Sequence, residues 1–261
     1  MAGEFANKIV VVSGASRGIG RAIAEAFARE GAQTVIAAVS ADNLAKAADA
    51  IAKLGPRPVT VAGDLRTLEA CQQVFSTVRD HFGRCDILVN NAGATRAGNF
   101  LDIPDDAWAD GFALKFFACM RLSRAFWPML KEAHGHVLNV IGGAARTPSS
   151  EFLIGGSVNG AMANFSKGLS TLGKRDDVNV NVIHPGMTET DRVTQLWQQT
   201  SAATGKTFEA VRDEAVAKSG VRGIAQPKDI AELALFLCSE GARQIQGVAV
   251  AVDGGSTPGL Y

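Results

Sequence analysis

Three glycines between residues 13 and 20 form the segment of this sequence best suited to bind a ligand. Gly14, Gly18 and Gly20 follow an apolar run at residues 8–13 and precede a helical pattern at residues 21–30. Glycines let a backbone approach a pyrophosphate, and the N-terminus of the following helix offers free N–H groups and a positive dipole. The pattern therefore predicts a dinucleotide-binding loop. The alternative is a glycine-rich turn that is needed only for packing.

Cysteine and histidine spacing gives no comparable indication of a metal site. The four cysteines show no Cys-x-x-Cys spacing and no paired histidines nearby; they are Cys71, Cys85, Cys119 and Cys238. We therefore expect no metal and interpret these cysteines as reduced, mostly buried thiols. The N-terminal residues lack the pattern of a secretory signal, and no apolar run reaches the ~18–20 residues that span a bilayer. These features predict a cytoplasmic protein without a membrane segment.

The composition excludes one large class of partners. The chain has 261 residues, and its 26 Lys+Arg balance its 26 Asp+Glu, so the formal net charge is zero. A protein that binds the phosphate backbone of nucleic acid needs an excess of basic residues, so we expect no nucleic-acid partner. The sequence also holds 28 glycines and a single tyrosine, Tyr261. That single tyrosine limits which residues can serve as acids or bases.

Strand patterns alternate with helical patterns along the whole chain. Strands are predicted at residues 8–13, 33–39, 58–62, 86–90, 136–141, 178–183 and 247–252. Helices are predicted at residues 21–30, 41–54, 67–82, 105–131, 157–173 and 228–239, and residues 188–219 have a polar, partly helical pattern. Short strands separated by helices imply an α/β fold with a parallel sheet of about seven strands covered on both faces. No linker divides the chain, so residues 1–261 are predicted to form one domain.

Several further segments occur in an order that is typical of one enzyme family. Asn-Asn-Ala-Gly at residues 90–93 follows the fourth predicted strand, Asp64-Leu65 the third, and Pro185-Gly186 the sixth. Val-Asp-Gly-Gly at residues 252–255 closes the last strand. With the glycine loop, these segments resemble the classical short-chain dehydrogenase/reductase family over residues 5–256. The resemblance implies a Rossmann-like doubly wound fold, a nicotinamide cofactor and an oxidoreductase acting on a small-molecule substrate.

The resemblance also implies a cofactor site. Its residues are Gly14, Ser16, Arg17, Gly18, Ile19, Gly20, Ser40, Asp64, Leu65, Asn91, Ala92, Gly93, Ile141, Asn159, Pro185, Gly186, Thr188 and Thr190. Members that use NAD place an acidic residue at the end of the second strand, where it binds the ribose 2′-hydroxyl. The matching residue here is Ala38, and no Asp or Glu occurs between Glu30 and Asp42. Arg17 resembles the family's usual partner of a 2′-phosphate, and Ser40 adds a hydroxyl. We therefore expect NADP(H) in preference to NAD(H), unless Arg17 is simply a solvated loop arginine.

The family's catalytic residues are an asparagine, a serine, a tyrosine and a lysine, and this chain differs at all four positions. The tyrosine position holds Gly155 and the lysine position holds Asn159. The serine falls at Gly142 or Gly143, because the intervening segment is one residue short, and the asparagine falls at Lys115. Since the only tyrosine of the chain is its last residue, the family's tyrosine mechanism is excluded within one subunit.

Lys115 and Asn159 are the candidates for replacing this chemistry. A lysine in an apolar pocket has a lowered pKa and can act as an acid, a base or an imine former. Asn159 would hydrogen bond the nicotinamide ribose in place of the family's lysine. The alternative for Lys115 is that it reaches solvent or pairs with a carboxylate such as Asp110 or Glu151.

Three neighbouring residues are expected to be structural. Ser157 has the character of a helix-start residue, Phe152 that of a pocket wall, and His184 precedes the Pro-Gly segment. Glycines in place of the family's serine and tyrosine also predict a roomier pocket beside the nicotinamide.

Three functions remain open at this stage. The first is an NADP(H)-dependent oxidoreductase with a non-standard proton relay, acting on a carbonyl, alcohol or activated alkene. The second is an NADP(H)-binding sensor or regulatory protein without turnover. The third is a lyase or dehalogenase of the same fold, which is disfavoured because halohydrin dehalogenases keep the serine and tyrosine but lose the glycine loop. We favour the first, because Leu196, Trp197 and Phe208 lie at residues 188–220, the stretch that forms the substrate lid in the family.

The resemblance also implies an assembly. Family members form homodimers and homotetramers, mainly through the long helices that correspond here to residues 105–131 and 157–173. In such a tetramer a C-terminus can approach a neighbour's site, which is the one route by which Tyr261 would supply an acid.

Overall fold

Short runs of β-branched and other apolar residues form the sheet at the centre of the molecule. The computed structural model describes residues 3–221 and 223–257, apart from the side chain of Arg192. Within them the strands are β1 (Ile9–Ser13), β2 (Gln33–Ala38), β3 (Val59–Ala62), β4 (Ile87–Asn90), β5 (His136–Val140), β6 (Asn179–Pro185) and β7 (Ala249–Val252). They form one parallel sheet in the order β3-β2-β1-β4-β5-β6-β7. The strand order reverses between β1 and β4, and open α/β sheets bind ligands at such a point.

Helices cover both faces of this sheet. They are α1 (Gly18–Arg29), α2 (Ala41–Ile51), α3 (Leu68–Phe82), α4 (Asp105–Gly111), α5 (Ala118–Glu132), α6 (Leu153–Asp176), α7 (Asp191–Thr204), α8 (Phe208–Ser219) and α9 (Pro227–Leu237). Side chains alternate between the faces along each strand, so Val10 and Val12 of β1 belong to the cluster packed by α1, α2 and α9. Val11 belongs to the opposite cluster, packed by α3 and α5. The predicted fold class, a doubly wound parallel α/β sheet, is confirmed. None of the described helices is long and apolar enough to cross a bilayer.

Helix α6 begins at Leu153 rather than at the predicted residue 157. The prediction that Ser157 starts this helix is therefore wrong, because Ser157 lies inside it. Ile154, Val158 and Met162 are buried at a helical spacing, so a continuous apolar face extends the helix toward its N-terminus. Neighbouring glycines concealed this pattern in the sequence.

The long helix predicted at residues 105–131 is interrupted by one wider turn. Helix α4 passes into a π-helical segment at Phe112–Phe117, and α5 continues from Ala118. A π-helical turn changes the direction in which its side chains point, and such turns are frequent at functional sites. Lys115 lies in this turn.

Candidate active site

A cavity of about 540 Å³ lies at the carboxyl edge of the sheet. Segments that follow six successive strands contribute to its wall: Gly14 after β1, Ala38 at the end of β2, Gly63 after β3, Asn91 after β4, Gly142 after β5 and Pro185 at the end of β6. This volume lies in the range of roughly 300–1,000 Å³ that is usual for small-molecule sites. The position at the point of strand-order reversal is that of a nucleotide site.

The glycine loop is tied closely to the loop that follows β4. Gly14 and Gly18 have φ angles of +68° and +58°, which glycine adopts readily. A Cβ on Gly20 would lie 2.3 Å from the Nδ2 atom of Asn91. That Nδ2 donates to the carbonyl oxygens of Ser13 (3.2 Å) and Gly14 (3.1 Å). The glycines are therefore needed both for backbone conformation and for the close approach of the two loops.

The hydroxyl of Ser13 is a second tie between these loops. It accepts hydrogen bonds from the backbone N–H groups of Asn91 (3.0 Å) and Ala92 (3.1 Å), and it donates to the carbonyl of Val89 (3.3 Å). Ser13 is buried, and the sequence analysis did not single it out. It directly precedes the predicted loop, so its position was the available signal.

Most residues of the predicted cofactor site line the cavity. Those in the wall are Gly14, Ser16, Arg17, Gly18, Ile19, Asp64, Leu65, Asn91, Ala92, Gly93, Pro185, Gly186 and Thr190, together with the predicted catalytic Lys115. Five residues of the predicted cofactor site are not part of the cavity wall: Gly20, Ser40, Ile141, Asn159 and Thr188. The Ser40 hydroxyl accepts from the backbone N–H of Asn43 (3.3 Å) and caps α2. The Thr188 hydroxyl donates to the Gly186 carbonyl (3.0 Å). Cofactor contact at all these residues stays a prediction.

The cavity wall carries charges of both signs. Arg17, Arg66 and Lys115 contribute cations, and Asp64 and Asp191 contribute carboxylates. Arg66 was missed by the sequence analysis although it directly follows Asp64-Leu65. Its Nη1 donates to Asp64 Oδ1 (3.1 Å), and its Nε lies 3.6 Å from Asp110 Oδ1. Asp110, one suggested partner of Lys115, thus lies beside Arg66.

The stem of Lys115 packs along the loop that follows β4. A Cβ on Gly93 would lie 2.9 Å from Lys115 Cδ, so a side chain at residue 93 would displace this stem. Lys115 also lies near the buried His184. Burial is the main reason that the pKa of His184 is lowered, and the charges of Arg146 and Lys115 lower this pKa further. The neutral imidazole donates from Nδ1 to the carbonyl of Ile141 (2.7 Å), which supports the expected structural role of His184.

The space beside Gly155 is filled by an aromatic ring. A Cβ on Gly155 would lie 2.0 Å from Cε1 of Phe152, so the ring occupies the room that a side chain there would take. The expectation of a roomier pocket is therefore wrong at this position. Phe152 immediately precedes α6 and folds back over its first turn.

Asn159 and Gly143 complete the surroundings of the β5 end. Asn159 is buried, and its Oδ1 accepts a hydrogen bond from the backbone N–H of Gly142 (3.1 Å). Its carbonyl oxygen thus holds the loop after β5. Beside Gly143 the nearest atom that an added Cβ would meet is the hydroxyl oxygen of Thr257, at 3.8 Å. Tyr261 lies outside the described residues.

Comparison with known families agrees with this geometry. A family model described as enoyl-(acyl carrier protein) reductase matches residues 14–257, from the glycine loop to the segment after β7. The chain belongs to the short-chain dehydrogenase/reductase family. The family resemblance proposed from the sequence is thereby confirmed.

Individual relatives of this short-chain dehydrogenase/reductase are similar over nearly their whole length. 3-Oxoacyl-[acyl-carrier-protein] reductase FabG of Escherichia coli K12 is 34% identical over 258 residues, which are 97% of this chain and 98% of the relative. Oxidoreductase UcpA of Salmonella typhimurium is 30% identical over 259 residues, 98% of this chain and 96% of the relative. The structure of L-sorbose reductase from Gluconobacter frateurii, complexed with NADPH and L-sorbose, has a TM-score of 0.95 at 33% identity and covers 100% of both chains. The protein is therefore a short-chain dehydrogenase/reductase-type oxidoreductase.

Proposed function

We propose that this protein is an NADP(H)-dependent oxidoreductase that acts on a carbonyl, an alcohol or an activated alkene through a non-standard proton relay. The observation that carries the proposal is the charge of the cavity wall. Arg17 lies in that wall, and strand β2 ends there in Ala38 rather than in a carboxylate. The relatives crystallised with NADPH or NADP support the same cofactor type.

The charge at one end of the cavity favours NADP(H). Arg17 directly precedes α1, so its guanidinium lies near the positive end of that helix dipole. A guanidinium binds phosphate oxygens through two parallel hydrogen bonds. No carboxylate among the described residues lies within 4 Å of Arg17 to compete. A carboxylate at Ala38 would instead repel a 2′-phosphate, so its absence favours NADP(H).

The residues around the cavity fit a dinucleotide. Gly14 and Gly18 expose backbone where a side chain would block a pyrophosphate, and the first turn of α1 supplies free N–H groups. By family resemblance, Asp64 and Leu65 would lie at the adenine, and Pro185 and Gly186 would also contribute to the cofactor site. When bound, the nicotinamide supplies or accepts a hydride.

Lys115 is the proposed source of the proton at the substrate oxygen. Its position in the cavity wall corresponds to the family's asparagine, and the π-helical turn and the contact with Gly93 hold its stem. In reduction its ammonium donates a proton to the forming alkoxide, and in oxidation its amine takes that proton back. Loss of a positioned acid slows a reaction roughly 10²–10⁴-fold, which equals about 3–5.5 kcal/mol of barrier. Even without such an acid, the nicotinamide and the substrate would be oriented toward each other. That orientation can contribute more to the rate than the acid does.

One observation favours a second candidate, a nucleotide-binding sensor without turnover. The ring of Phe152 covers Gly155, and the buried Asn159 is engaged with Gly142. Neither position therefore offers the acid or base of the family. In a sensor NADP(H) would bind as strongly as in the enzyme, and no substrate would oxidise it.

Calorimetric titration with NADPH and NADH tests the cofactor proposal. We expect NADPH to bind more tightly than NADH, because only NADPH carries the phosphate that Arg17 would bind. Arg17→Gln should weaken NADPH roughly tenfold, since a hydrogen bond to a charged group contributes about 1.5–3 kcal/mol and exposure reduces it, and should leave NADH unchanged. The matched control is Arg29→Gln at the other end of α1, where Arg29 pairs with Glu232 (2.8 Å). Equal, weak binding of both nucleotides by the unaltered protein would contradict the proposal.

A further inference from the structure

A second cavity, of about 350 Å³, lies at the amino edge of the sheet, opposite the nucleotide cavity. Lys8 precedes β1, Ile87 begins β4 and His136 begins β5, and all three lie in its wall. Residues that follow helices α5, α6 and α9 complete this wall. The two walls share none of their described residues, so a ligand of this amino-edge cavity would bind apart from the nucleotide. Its volume lies in the usual range for small-molecule sites.

The wall of the amino-edge cavity contains a buried imidazole without a partner. His136 is 7% exposed, and no hydrogen bond joins its Nδ1 or its Nε2 to any described residue. Buried polar groups are nearly always hydrogen bonded. Burial, with the nearby cations, lowers the pKa of His136 to about 4, so at pH 7 the neutral ring offers one N–H donor and one acceptor. A polar ligand in the cavity would supply the missing partner.

The part of the wall at Lys8 has an excess of positive charge. The carboxylate of Asp86 faces two cations, because its Oδ1 lies 2.6 Å from Nη2 of Arg84 and 3.4 Å from Nζ of Lys8. After burial, the charges of Arg243 and Lys8 lower the pKa of His136 most, and Asp86 opposes them. An ammonium has three donors, so Lys8 keeps protons for another acceptor. A carboxylate group is therefore favoured beside Lys8 and His136.

Another part of the wall is negative. Helix α9 ends at Leu237, and Cys238 and Glu240, which follow it, both lie in the wall. The C-terminus of a helix carries a negative partial charge. Glu240 is exposed and forms no ion pair with any described residue, Lys8 included. An ammonium group is therefore favoured beside Glu240.

The remaining charged residues of the wall are paired with one another. Nδ1 of His134 lies 2.8 Å from Oδ2 of Asp177, and Arg243 donates to the other carboxylate oxygen. Arg243 also donates to the backbone carbonyl of His134 (3.0 Å). A ligand would have to break these contacts to use the same groups, so Lys8, His136 and Glu240 are the groups that remain for it.

We propose that the amino-edge cavity binds a small zwitterion of the α-amino acid type, with its carboxylate at Lys8 and His136 and its ammonium at Glu240. The two charges of such a ligand match the two signs of the wall. A simple anion would meet the like charge of Glu240, and a simple cation that of Lys8. Phe5 and Ile87 add apolar surface to the wall, which suits a short apolar side chain on the ligand. This site is independent of the proposed oxidoreductase function.

Calorimetric titration of the full-length protein with three related compounds tests the site. L-Valine is a zwitterion, valinamide a cation and N-acetylvaline an anion, and all three carry the same apolar side chain. We expect valine to bind at least tenfold more tightly than either of the others. Glu240→Gln should weaken valine roughly tenfold, since it removes a hydrogen bond between charged groups that exposure partly reduces. Lys8→Met should weaken valine to a similar degree, because it removes the cation beside the carboxylate.

Two exposed residues outside both cavities provide matched controls. Glu209→Gln and Lys46→Met make the same chemical changes elsewhere and should leave the affinity for valine unchanged. Urea unfolding shows that each variant is folded. Valine should also shift the imidazole resonances of His136 in NMR spectra, which locates the ligand in this cavity. Absence of valine binding, equal binding of the three compounds, or an affinity that both Glu240→Gln and Lys8→Met leave unchanged would each overturn the assignment.

Discussion

Lys115 lies in the cavity wall, and the helix that carries it is distorted at this residue. The π-helical segment Phe112–Phe117 lies between two regular helices, and the stem of Lys115 packs against Gly93 in the loop that follows β4. A side chain held along its stem loses less freedom when its amino group meets a ligand. Lys115, which the sequence analysis aligns with the family's asparagine, is thus held in position, and an amine differs chemically from an amide.

Replacing Lys115 with methionine tests whether its amino group moves a proton. Lys115→Met keeps most of the stem and should lower kcat for carbonyl reduction roughly 100-fold or more, while NADPH still binds. The control is Lys46→Met, an exposed lysine on α2 that is not part of the cavity wall, which should react as the unaltered protein does. Steady-state kinetics over a range of pH measures both, and an unchanged kcat and pH profile in Lys115→Met would end its catalytic role.

At the scale of the element, the first turn of helix α6 holds Gly155, which the sequence analysis aligns with the family's tyrosine, in a packing contact with Phe152. The ring of Phe152 lies where a Cβ of Gly155 would be. The next glycine, Gly156, is different, because an added Cβ there would meet only the Ala144 carbonyl oxygen, at 3.6 Å. The structure therefore has no room for a side chain at Gly155 but has room for one at Gly156.

Alanine at each of these two glycines should change stability in opposite directions. Gly155→Ala forces the Phe152 ring out of its place and should destabilise the protein by about 1–3 kcal/mol, as overpacking does. Gly156→Ala fits and should stabilise it by about 0.5–1 kcal/mol, because alanine loses less conformational freedom in a helix than glycine. Urea unfolding measures both. Adding Phe152→Ala to Gly155→Ala should recover part of the loss, and equal stabilities of the two single variants would contradict this account of the ring.

At the scale of the whole molecule, a buried histidine makes the free energy of unfolding depend on pH. It lies at the amino edge of the sheet, opposite the edge that carries the nucleotide cavity. His136 begins β5, is 7% exposed, and has no hydrogen-bond partner for Nδ1 among the described residues. Burial, then the charges of Arg243 and Lys8, lower its pKa to about 4, and Asp86 opposes them. The folded state therefore disfavours the imidazolium that the unfolded chain forms near pH 6.5.

This shift predicts a loss of stability in mild acid. Between pH 6.5 and 4 the unfolded chain binds more protons than the folded one, so the free energy of unfolding falls as the pH falls, by roughly 3 kcal/mol for His136. The contribution is fully present above that window and lost below it. Burial also lowers the pKa of His184, so His184 adds a loss of stability of the same sign as the pH falls below about 6.5. Urea unfolding of His136→Leu should show a flatter pH dependence than the unaltered protein, and identical slopes would contradict the assignment.

The sequence predicted the features that depend on local pattern. Alternating strands and helices determine the sheet, and the spacing of Gly14, Gly18 and Gly20 indicates the loop, because backbone conformation and helix start are local properties. The structure adds contacts between distant segments: Ser13 with Asn91, and Gly142 with Asn159. Such pairs depend on how loops pack after the sheet has formed, and periodicity carries no information about them. The homotetramer and the lid at residues 188–220 remain predictions.

The most direct test of the central claim is the oxidation of protein-bound NADPH. Stoichiometric NADPH is bound, and hydroxylated ketones, plain ketones, aldehydes and activated alkenes are added while the absorbance of the reduced nicotinamide is followed against free NADPH. An oxidoreductase with a weakened proton relay should oxidise bound NADPH with at least one of these classes faster than the free-nucleotide control, and Lys115→Met should slow that oxidation. Bound NADPH that stays reduced with every class would contradict the account and favour the sensor.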